Sequence, residues 1–377
     1  MRLNKTFLEK LKKIKTPFII YDLNRIRKNY EEIAKVFHGI DIYYAMKCNS
    51  HLKIINLLKD LGSGFEVASV NESIQLLKQN VSPTKIICMH PIKSPEFLKF
   101  LRKNNIWVMA ADSYEEVDKI SKYAPGSKVV ARIAVDNEGS EWKLTGKFGI
   151  DVTEFPRFLT YIKSKKLMEF GLTFHVGSQC TNPANWVRAL NICDEIWKEA
   201  HNLGMNLKFL SIGGGLAVKY IKSVPGISRI GKLVTKEIQK KFKTGGFVTL
   251  TMEPGRAVVA NSGVLVTQVI GKAKRGLTNW LYIDVGTYNG LIEAIETPDR
   301  KFYPIVVENN NRKQEVYNIG GPSCVSLDTP FEEVILPKLN IGERIYLLNT
   351  GGYTVMCAAP FNGFDIPKEY IYQELKL

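Results

Sequence analysis

The chain has 377 residues, of which 45% are hydrophobic, and it carries a formal net charge of +15. This length predicts two domains, or one barrel with an appended domain. No apolar run is long enough to span a membrane, and the lysine-rich N-terminus lacks the apolar block of a secretory signal. We therefore expect a cytoplasmic protein that does not bind membranes.

Neither the positive charge nor the cysteines predict a specialised binding surface. The lysine clusters at residues 10–13 and 240–243 are not interleaved with aromatic residues as a single-strand nucleic-acid surface would be. We interpret them as solvated helix faces, with attraction of an acidic partner or an anionic substrate as the open alternative. The six cysteines show no CxxC pair and no metal-ligand spacing, so no metal site is expected.

Apolar, β-rich runs alternate with helix-length amphipathic segments up to about residue 260. Eight runs are apolar on both faces, the pattern of parallel strands covered by helices. They are Ile42–Met46, Phe65–Ala68, Lys85–Met89, Trp107–Ala110, Val129–Val135, Phe170–His175, Lys208–Ile212 and Val248–Met252. Helical patterns between them include Leu52–Leu61, Asn71–Lys78 and Trp186–Leu203. We predict an α/β fold, a (β/α)8 TIM-type barrel over residues 25–260.

The pattern changes in the last third of the chain. Short β-prone runs there are separated by turns rich in Gly, Pro and Asn, which predicts a second, mostly antiparallel β domain over residues 261–377. These runs include Gly263–Ile270, Trp280–Asp284, Tyr303–Val307 and Arg344–Leu348. The run Pro17–Tyr21 is also β-prone, so we expect the N-terminal segment 1–24 to join this domain. A separate binding module is the alternative for this region.

Polar residues that follow the predicted barrel strands are candidates for chemistry, because barrel active sites lie at the C-terminal ends of strands. Lys47 follows the first strand, and burial there predicts a lowered pKa and a nucleophilic amine. Such an amine is what a Schiff base to pyridoxal phosphate requires. The simpler interpretation is a lysine with a buried stem and a solvated ammonium group. The other strand-end candidates are Glu66, Arg132, His175, Gly213–Gly215 and Glu253–Arg256.

Together these residues supply the parts of a site for a phosphate-bearing aldehyde. The triplet Gly213–Gly215 allows backbone N–H groups to approach a phosphate, and Arg256 adds positive charge. Glu253 can keep a pyridinium nitrogen protonated, which makes the ring a strong electron sink, while His175 can lie flat on the ring. Singly, a barrel histidine is usually structural and a glycine triplet is often a tight turn.

Five motifs in chain order carry a resemblance to a known family. They are Tyr44–Asn49, Phe174–Ser178, Gly213–Gly215, Glu253–Arg256 and Gly321–Cys324. From Pro17 to Phe364 the chain resembles the ornithine/diaminopimelate/arginine decarboxylases, which are fold-type III pyridoxal-phosphate enzymes. The segments Lys147–Gly149, Gly351–Thr354 and Phe361–Phe364 are similar to the ornithine decarboxylase branch in particular.

The resemblance implies pyridoxal 5′-phosphate as cofactor and a role for each matching residue. Lys47 would form the Schiff base, His175 would stack on the ring, and Glu253 would pair with the ring nitrogen. Cys324, donated by the neighbouring subunit of a homodimer with shared active sites, would protonate the α-carbon after carbon dioxide leaves. Lys147 and Asp328 match positions that pair across that interface. The remaining candidate cofactor-binding residues are Glu66, Arg132, Ser178, Gly213, Gly214, Gly215, Gly255, Arg256 and Tyr353.

One position departs from the family pattern. Val325 follows Cys324, where ornithine and lysine decarboxylases have an aspartate that holds the distal amine of the substrate. A valine cannot pair with an ammonium group, and burying that cation without a partner would cost several kcal/mol. Glu296 or Asp299 can bind a distal amine instead, and Tyr288 is a further candidate substrate residue.

The predicted activity is α-decarboxylation of an ornithine-like, lysine-like or modified basic amino acid to an amine, as in polyamine biosynthesis. The alternative is a decarboxylase of a conjugated or carrier-tethered amino acid, because an acidic carrier protein would suit the positive charge. A racemase ranks lower, since barrel racemases of this fold type place an arginine near the ring nitrogen. The retained Lys47, His175, Glu253 and Cys324 argue against a non-catalytic regulator.

Overall fold

A computed structural model describes residues 4–144, 146–242, 248–297 and 300–375 of the chain. The described residues divide into two compact units. The barrel unit contains residues 30–217 and 224–256, and the sheet unit contains the residues up to 29, residues 218–223 and those from 257 onward. The domain limits 25–260 and 261–377 stay a prediction.

Strands and helices are numbered along the described part of the chain. The strands are β1 (Phe18–Tyr21), β2 (Asp41–Ala45), β3 (Gly64–Glu66), β4 (Ile86–Ile87), β5 (Val108–Ala111), β6 (Lys128–Arg132), β7 (Ser140–Trp142), β8 (Met168–Thr173), β9 (Ser178–Cys180), β10 (Phe209–Ser211), β11 (Thr249–Met252), β12 (Gly263–Arg275), β13 (Thr278–Ile283), β14 (Ile305–Val307), β15 (Gln314–Gly320), β16 (Phe331–Pro337), β17 (Arg344–Leu348) and β18 (Lys368–Ile371). The α-helices are α1 (Lys5–Leu11), α2 (Leu23–Val36), α3 (Leu52–Asp60), α4 (Val70–Lys78), α5 (Pro95–Lys103), α6 (Tyr114–Tyr123), α7 (Phe155–Ser164), α8 (Ala184–Asn202), α9 (Ile227–Lys241), α10 (Arg256–Val259) and α11 (Ile292–Ile295).

The barrel unit is built on a parallel sheet in the order β4-β3-β2-β11-β10-β8-β6-β5. Its ends meet through a parallel bridge between Cys88, just after β4, and Met109 of β5. Each of the eight strands predicted from the sequence overlaps one strand of this sheet. The predicted barrel is therefore confirmed, and it places the C-terminal ends of strands from distant parts of the chain at one mouth.

Side chains from strands around the whole barrel fill its interior. Tyr43, Ile87, Ala110, Val130 and Phe209 come from β2, β4, β5, β6 and β10 and belong to one buried cluster. Such a filled interior explains why the strands read as apolar on both faces, since helices cover their outer side chains.

Local sequence signals start the helices that follow strands β3, β4 and β5. Ser69, Ser94 and Ser113 are the N-caps of α4, α5 and α6. Each hydroxyl accepts a hydrogen bond from the backbone N–H three residues further along the chain, at 3.1–3.3 Å. A serine cap satisfies a backbone donor that the first helical turn leaves unpaired.

A buried lysine reinforces the junction of β4 and β5. Lys93 is fully buried, and its ammonium group contacts the Glu116 carboxylate at 2.9 Å. It also donates to the carbonyl oxygens of Ala110 in β5, at 2.6 Å, and of His90, at 3.0 Å. A buried cation needs such compensation, so Lys93 ties together the two strands that share only one bridge.

The sheet unit is mostly antiparallel, as predicted. Its main path runs β14-β17-β12-β13-β15-β16, in which only the β13–β15 pairing is parallel among the described strands. Strand β1 pairs antiparallel with β12 and parallel with β18, so the N-terminal segment belongs to this sheet. Helix α1 packs Leu8 and Leu11 against Phe18, Val266 and neighbouring apolar residues. In the described ranges, no helix is both long and apolar enough to cross a bilayer.

Candidate active site

Lys47 lies at the mouth of the barrel. Strand β2 ends at Ala45, and Met46–Cys48 form a single 3₁₀ turn that presents the lysine. The turn is held where Tyr44 donates its hydroxyl to the Asn49 carbonyl at 2.9 Å. The Lys47 side chain is 48% exposed, and its Nζ lies 3.3 Å from Oε2 of Glu66, a carboxylate that is 2% exposed.

The prediction of a lowered pKa for Lys47 is wrong. The negative charge of Glu66 raises the pKa of Lys47 above its ordinary value; desolvation opposes this effect, and Glu253 adds to it. Glu66 ends β3 and Glu253 follows β11, and both strands flank β2 in the barrel. The sequence separates these three residues widely, so a local pattern around Lys47 contains no sign of its two carboxylate neighbours.

Glu253 is a buried carboxylate held by the neighbouring strand. It is 8% exposed, its backbone N–H donates to the Gly213 carbonyl at 2.9 Å, and its Oε1 accepts a hydrogen bond from the Ser211 hydroxyl. Burial, together with the charge of Glu66, raises the pKa of Glu253 to about 7, against the opposing effects of Ser211, Lys47 and Arg132. This group therefore changes protonation state in the neutral range.

His175 presents a neutral ring beside the glycine loop. Burial, and then the charges of Arg132 and Lys47, hold the pKa of His175 well below its usual range. Its Nδ1 accepts the Gly177 N–H at 3.0 Å, which leaves Nε2 to carry the proton of the neutral ring. A Cβ on Gly214 would lie 3.2 Å from that Nε2, so the ring borders Gly214 closely.

The segment Gly213–Gly215 requires glycine because neighbouring backbone approaches it closely. Gly213 and Gly215 have φ values of +65° and +99°, and added Cβ atoms would collide with the carbonyl oxygens of Phe174 and Gly177. Neither Gly214 nor Gly215 donates its N–H to an acceptor among the described residues. Unpaired N–H groups in such a loop are suited to an anion.

Arg256 completes a cationic corner of the barrel mouth. It is 5% exposed and donates from Nη2 to the Ser178 hydroxyl at 3.3 Å. Its guanidinium also lies over the Trp142 ring, 4.4 Å from the centroid. Trp142 in β7 pairs with Ser178 in β9, so one short antiparallel ladder positions both partners of Arg256.

Two further cofactor candidates line the same barrel mouth. Arg132 ends β6, and its guanidinium lies 5.0 Å from the centroid of the Phe148 ring. Desolvation lowers the pKa of Arg132, while Glu253, Asp112 and Glu66 oppose this shift. Gly255 allows close packing, since a Cβ there would lie 2.8 Å from that of Cys48.

The candidate residues of the sheet unit form a cluster of their own. Cys324 is exposed and its Sγ lies 3.9 Å from Oδ1 of Asn362. Tyr288 packs on Phe361 with ring centroids 4.4 Å apart. Val325, beside Cys324, is 36% exposed. The motif around residues 361–364 therefore lies against both the Tyr288 and the Cys324 loops.

Asp328 organises these loops from within the sheet unit. It is 4% exposed, and its two carboxylate oxygens accept the N–H groups of Thr287, at 2.7 Å, and Ser323, at 2.9 Å. The pairing with Lys147 of a neighbouring subunit, implied by the resemblance, stays a prediction; Lys147 is exposed in the barrel unit.

Two further candidates, Glu296 and Tyr353, belong to the sheet unit. Glu296 is exposed directly after α11, and Asp299 lies outside the described residues. Tyr353 adopts a left-handed backbone conformation, with φ +58°, in the turn after β17. Ser211 and Trp142 were not anticipated from the sequence. Ser211 ends the fully buried strand β10, shortly before the glycine triplet, and this position is the signal that could have identified it.

The barrel-mouth residues fit pyridoxal phosphate by the chemistry of their groups. Arg256, Ser178 and the free N–H groups of Gly214 and Gly215 match a phosphate, Glu253 matches a pyridine nitrogen, and the Lys47 amine matches an aldehyde.

Comparison with known proteins agrees with this assignment. Residues 23–260 match the family model of the pyridoxal-dependent decarboxylases, pyridoxal binding domain. The lysine/ornithine decarboxylase of Selenomonas ruminantium is 33% identical over 365 residues, which cover 96% of this chain and 91% of that protein.

Solved structures extend the similarity to the whole fold. The crystal structure of SrLDC, the lysine decarboxylase of Selenomonas ruminantium, in complex with PLP and cadaverine superimposes with a TM-score of 0.91 at 32% identity, covering 99% of this chain and 95% of that one. The Paramecium bursaria Chlorella virus arginine decarboxylase bound to agmatine gives a TM-score of 0.91 at 28% identity, covering 98% and 100%.

Proposed function

Since the chain belongs to the pyridoxal-dependent decarboxylase family, we propose that it decarboxylates a basic amino acid of the ornithine or lysine kind. The products are carbon dioxide and an amine of the polyamine type. The observation that carries the proposal is the buried Glu253 carboxylate, held within electrostatic reach of Lys47 and Arg132. A carboxylate at this place favours decarboxylation over racemisation, because it stabilises a protonated ring nitrogen.

When bound, pyridoxal phosphate supplies the electron sink that takes up the electron pair left by the departing carboxylate. In our proposal Arg256, Ser178, Gly214 and Gly215 bind its phosphate. Glu253 would accept a hydrogen bond from the ring nitrogen, and the neutral His175 would pack on the ring face. These assignments are supported by the barrel-mouth geometry and by the order of the motifs.

Lys47 supplies the amine. Its Nζ rests as an ammonium group 3.3 Å from Glu66 Oε2. The raised pKa of Lys47 means that it must release a proton before it acts as a nucleophile. Glu66 holds that ammonium in place at the barrel mouth and is the nearest acceptor for its proton.

Cys324 is proposed to return a proton to the α-carbon from a neighbouring copy of the chain. Its loop is exposed, and Asp328 orders the backbone of that loop through Ser323. An exposed thiol on an ordered loop suits a role in a homodimer whose two sites are shared. A cytoplasmic location is part of the proposal, supported by the six cysteine thiols, four of which are buried.

The basic substrate is proposed from the relatives, which include a lysine/ornithine and an arginine decarboxylase. Val325 provides no charge for a distal ammonium group. We therefore propose that Glu296 or Asp299 holds that group and that Tyr288 borders it. Glu296 is exposed, so its carboxylate is accessible to a cation.

A conjugated or carrier-tethered amino acid is the second candidate, and Val325 is the observation that favours it. A substrate whose distal amine is acylated needs no carboxylate at this position. The net charge of +15 suits an acidic carrier protein.

The test is carbon dioxide release by the purified, PLP-loaded protein from L-ornithine, L-lysine, L-arginine and meso-diaminopimelate, with the D forms as stereochemical controls. We expect turnover of an L-ornithine or L-lysine substrate. If PLP is bound but no free amino acid releases carbon dioxide, the basic-substrate proposal is rejected in favour of a conjugated substrate. Failure to bind PLP would reject the function itself.

A further inference from the structure

One serine outside the five sequence motifs contacts two parts of the proposed cofactor site, the Glu253 carboxylate and the start of the glycine loop. Ser211 is the last residue of β10 and is fully buried. Its hydroxyl donates its single proton to Oε1 of Glu253 and accepts the N–H of Gly213 at 3.2 Å. One side chain thus contacts both the carboxylate proposed for the ring nitrogen and the start of the glycine loop.

The direction of the Ser211 hydrogen bond matters. A hydroxyl has one proton to donate, and an ionised carboxylate can only accept, so the Ser211 proton lies in the bond to Glu253 while the Ser211 oxygen accepts from Gly213 N–H. Donation to a carboxylate stabilises its ionised form, whereas a protonated carboxyl group loses this advantage. The backbone bond from Glu253 N to the Gly213 carbonyl, at 2.9 Å, holds the two strands in the same register.

The charged groups that face Glu253 come from several strands. Glu66 on β3 disfavours its ionisation, while Lys47 after β2 and Arg132 on β6 favour it, and His175 after β8 is neutral. The effects of burial and of Glu66 outweigh those that lower the pKa of Glu253, so this carboxylate is close to losing its charge near neutral pH. In this balance, Ser211 is the one uncharged donor to the carboxylate among the described side chains.

We propose that Ser211 is a positioning residue that keeps Glu253 ionised and aimed at the ring nitrogen. This inference rests on the proposed function, in which Glu253 serves that nitrogen. Ser211 itself touches neither substrate nor the reacting atoms; it acts through Glu253 and through the start of the glycine loop. Its loss is expected to lower the ionised fraction of Glu253 at neutral pH.

The test compares Ser211→Ala with Ser127→Ala. Ser127 is equally buried and donates to the Ala124 carbonyl at 2.6 Å, at the opposite, N-terminal end of a barrel strand. Full-length protein labelled with [5-¹³C]glutamate is titrated by NMR before PLP loading, with Glu253→Gln used to assign the resonance. We expect Ser211→Ala to raise the Glu253 midpoint by about one pH unit and Ser127→Ala to leave it unchanged.

A second readout uses the PLP-loaded protein. In Ser211→Ala, kcat should fall by ~5-fold at pH 7, because a one-unit rise of a midpoint near 7 lowers the ionised fraction of Glu253 by that factor. It should recover as the pH rises above the new Glu253 midpoint, with KM nearly constant. An unchanged midpoint, or an equal shift in Ser127→Ala, would overturn the inference. If Ser211→Ala does not fold, Ser211→Thr and Ser211→Val decide, because they share a shape and only Thr retains the hydroxyl; equal midpoints in that pair would likewise overturn it.

The two proposals fail in different ways. If the unaltered protein binds no PLP or releases no carbon dioxide from any amino acid or conjugate, the proposed function is wrong. The Glu253 midpoint still reports on Ser211 in that case. If PLP binds and turnover occurs but the midpoint ignores Ser211, only the role of Ser211 is wrong.

Discussion

The barrel unit and the sheet unit carry candidate residues of different kinds. At the barrel mouth the carboxylates of Glu66 and Glu253 are buried beside Lys47: both raise the pKa of Lys47, and Glu66 also helps to raise that of Glu253. In the sheet unit Cys324, Val325 and Glu296 are exposed on loops. In our proposal the barrel sets the cofactor chemistry, and the loops of the sheet unit are where substrate choice can vary.

Replacing Lys47 should have the largest effect. We expect Lys47→Ala to lower kcat by ~10⁴-fold or more, because the variant lacks the amine proposed as the nucleophile. Carbon dioxide release and the visible absorbance of the PLP-loaded protein measure the loss. Lys35→Ala, at the exposed end of α2, is the control and should change neither. Near-normal turnover by Lys47→Ala would mean that the barrel mouth is not the site of chemistry.

Glu253→Gln should be the next most severe change. Glutamine cannot stabilise a protonated ring nitrogen by charge, so kcat should fall by ~10²–10³-fold. There is also a signature in stability. The folded pKa of Glu253, about 7, exceeds its ordinary value of 4.5, so the folded chain retains a proton that the unfolded chain has lost between these values.

This difference makes unfolding easier as the pH rises through that window. In urea titrations without PLP, Glu253→Gln should remove this part of the decline in the free energy of unfolding. An identical pH profile for the variant and the unaltered protein would show that Glu253 titrates normally, contrary to its burial.

Cys324→Ala tests whether the sheet unit takes part in chemistry at all. We expect a ~10²-fold loss of amine formation, since a proton donor is removed while the cofactor residues stay intact. Mixing it with Lys47→Ala should restore roughly a quarter of full activity, because half of the random dimers contain one intact shared site. If the mixture recovers no activity, Cys324 does not act in the neighbouring subunit's site.

Trp142→Ala should have a moderate effect confined to cofactor binding. Loss of the ring that lies 4.4 Å from the Arg256 guanidinium should weaken PLP affinity by ~5–10-fold. Equilibrium dialysis against PLP measures it. Trp107→Ala removes an equally close ring from Arg102, also at 4.4 Å, and serves as the control for general destabilisation. Equal losses of affinity in the two variants would remove the special role of Trp142.

Val325→Asp should have the smallest effect, but it is the sharpest test of substrate class. If the substrate carries a free distal ammonium group, the new carboxylate should lower KM for L-lysine or L-ornithine by ~3-fold or more. Val325→Asn, similar in shape and uncharged, is the control and should not. A rise in KM with Asp alone would indicate a substrate whose distal group is not cationic.

The sequence by itself determined the barrel and the identity of most cofactor candidates. Each predicted barrel strand overlaps an observed strand, because burial on both faces leaves a continuous apolar run that is a local property of the chain. The residue types at strand ends were informative for a related reason: the fold gathers all such ends at one mouth. Lys47, His175 and Glu253 could therefore be grouped without coordinates.

Only the tertiary structure decided how those groups influence one another. The pKa of Lys47 is raised rather than lowered because Glu66 and Glu253 approach it from two neighbouring strands, and Coulomb energies depend on distances in space. Ser211 and Trp142 gained importance in the same way, through Glu253 and Arg256. The sequence identifies the ionisable groups of a site, but the protonation states of these groups follow from contacts between residues that are remote in sequence.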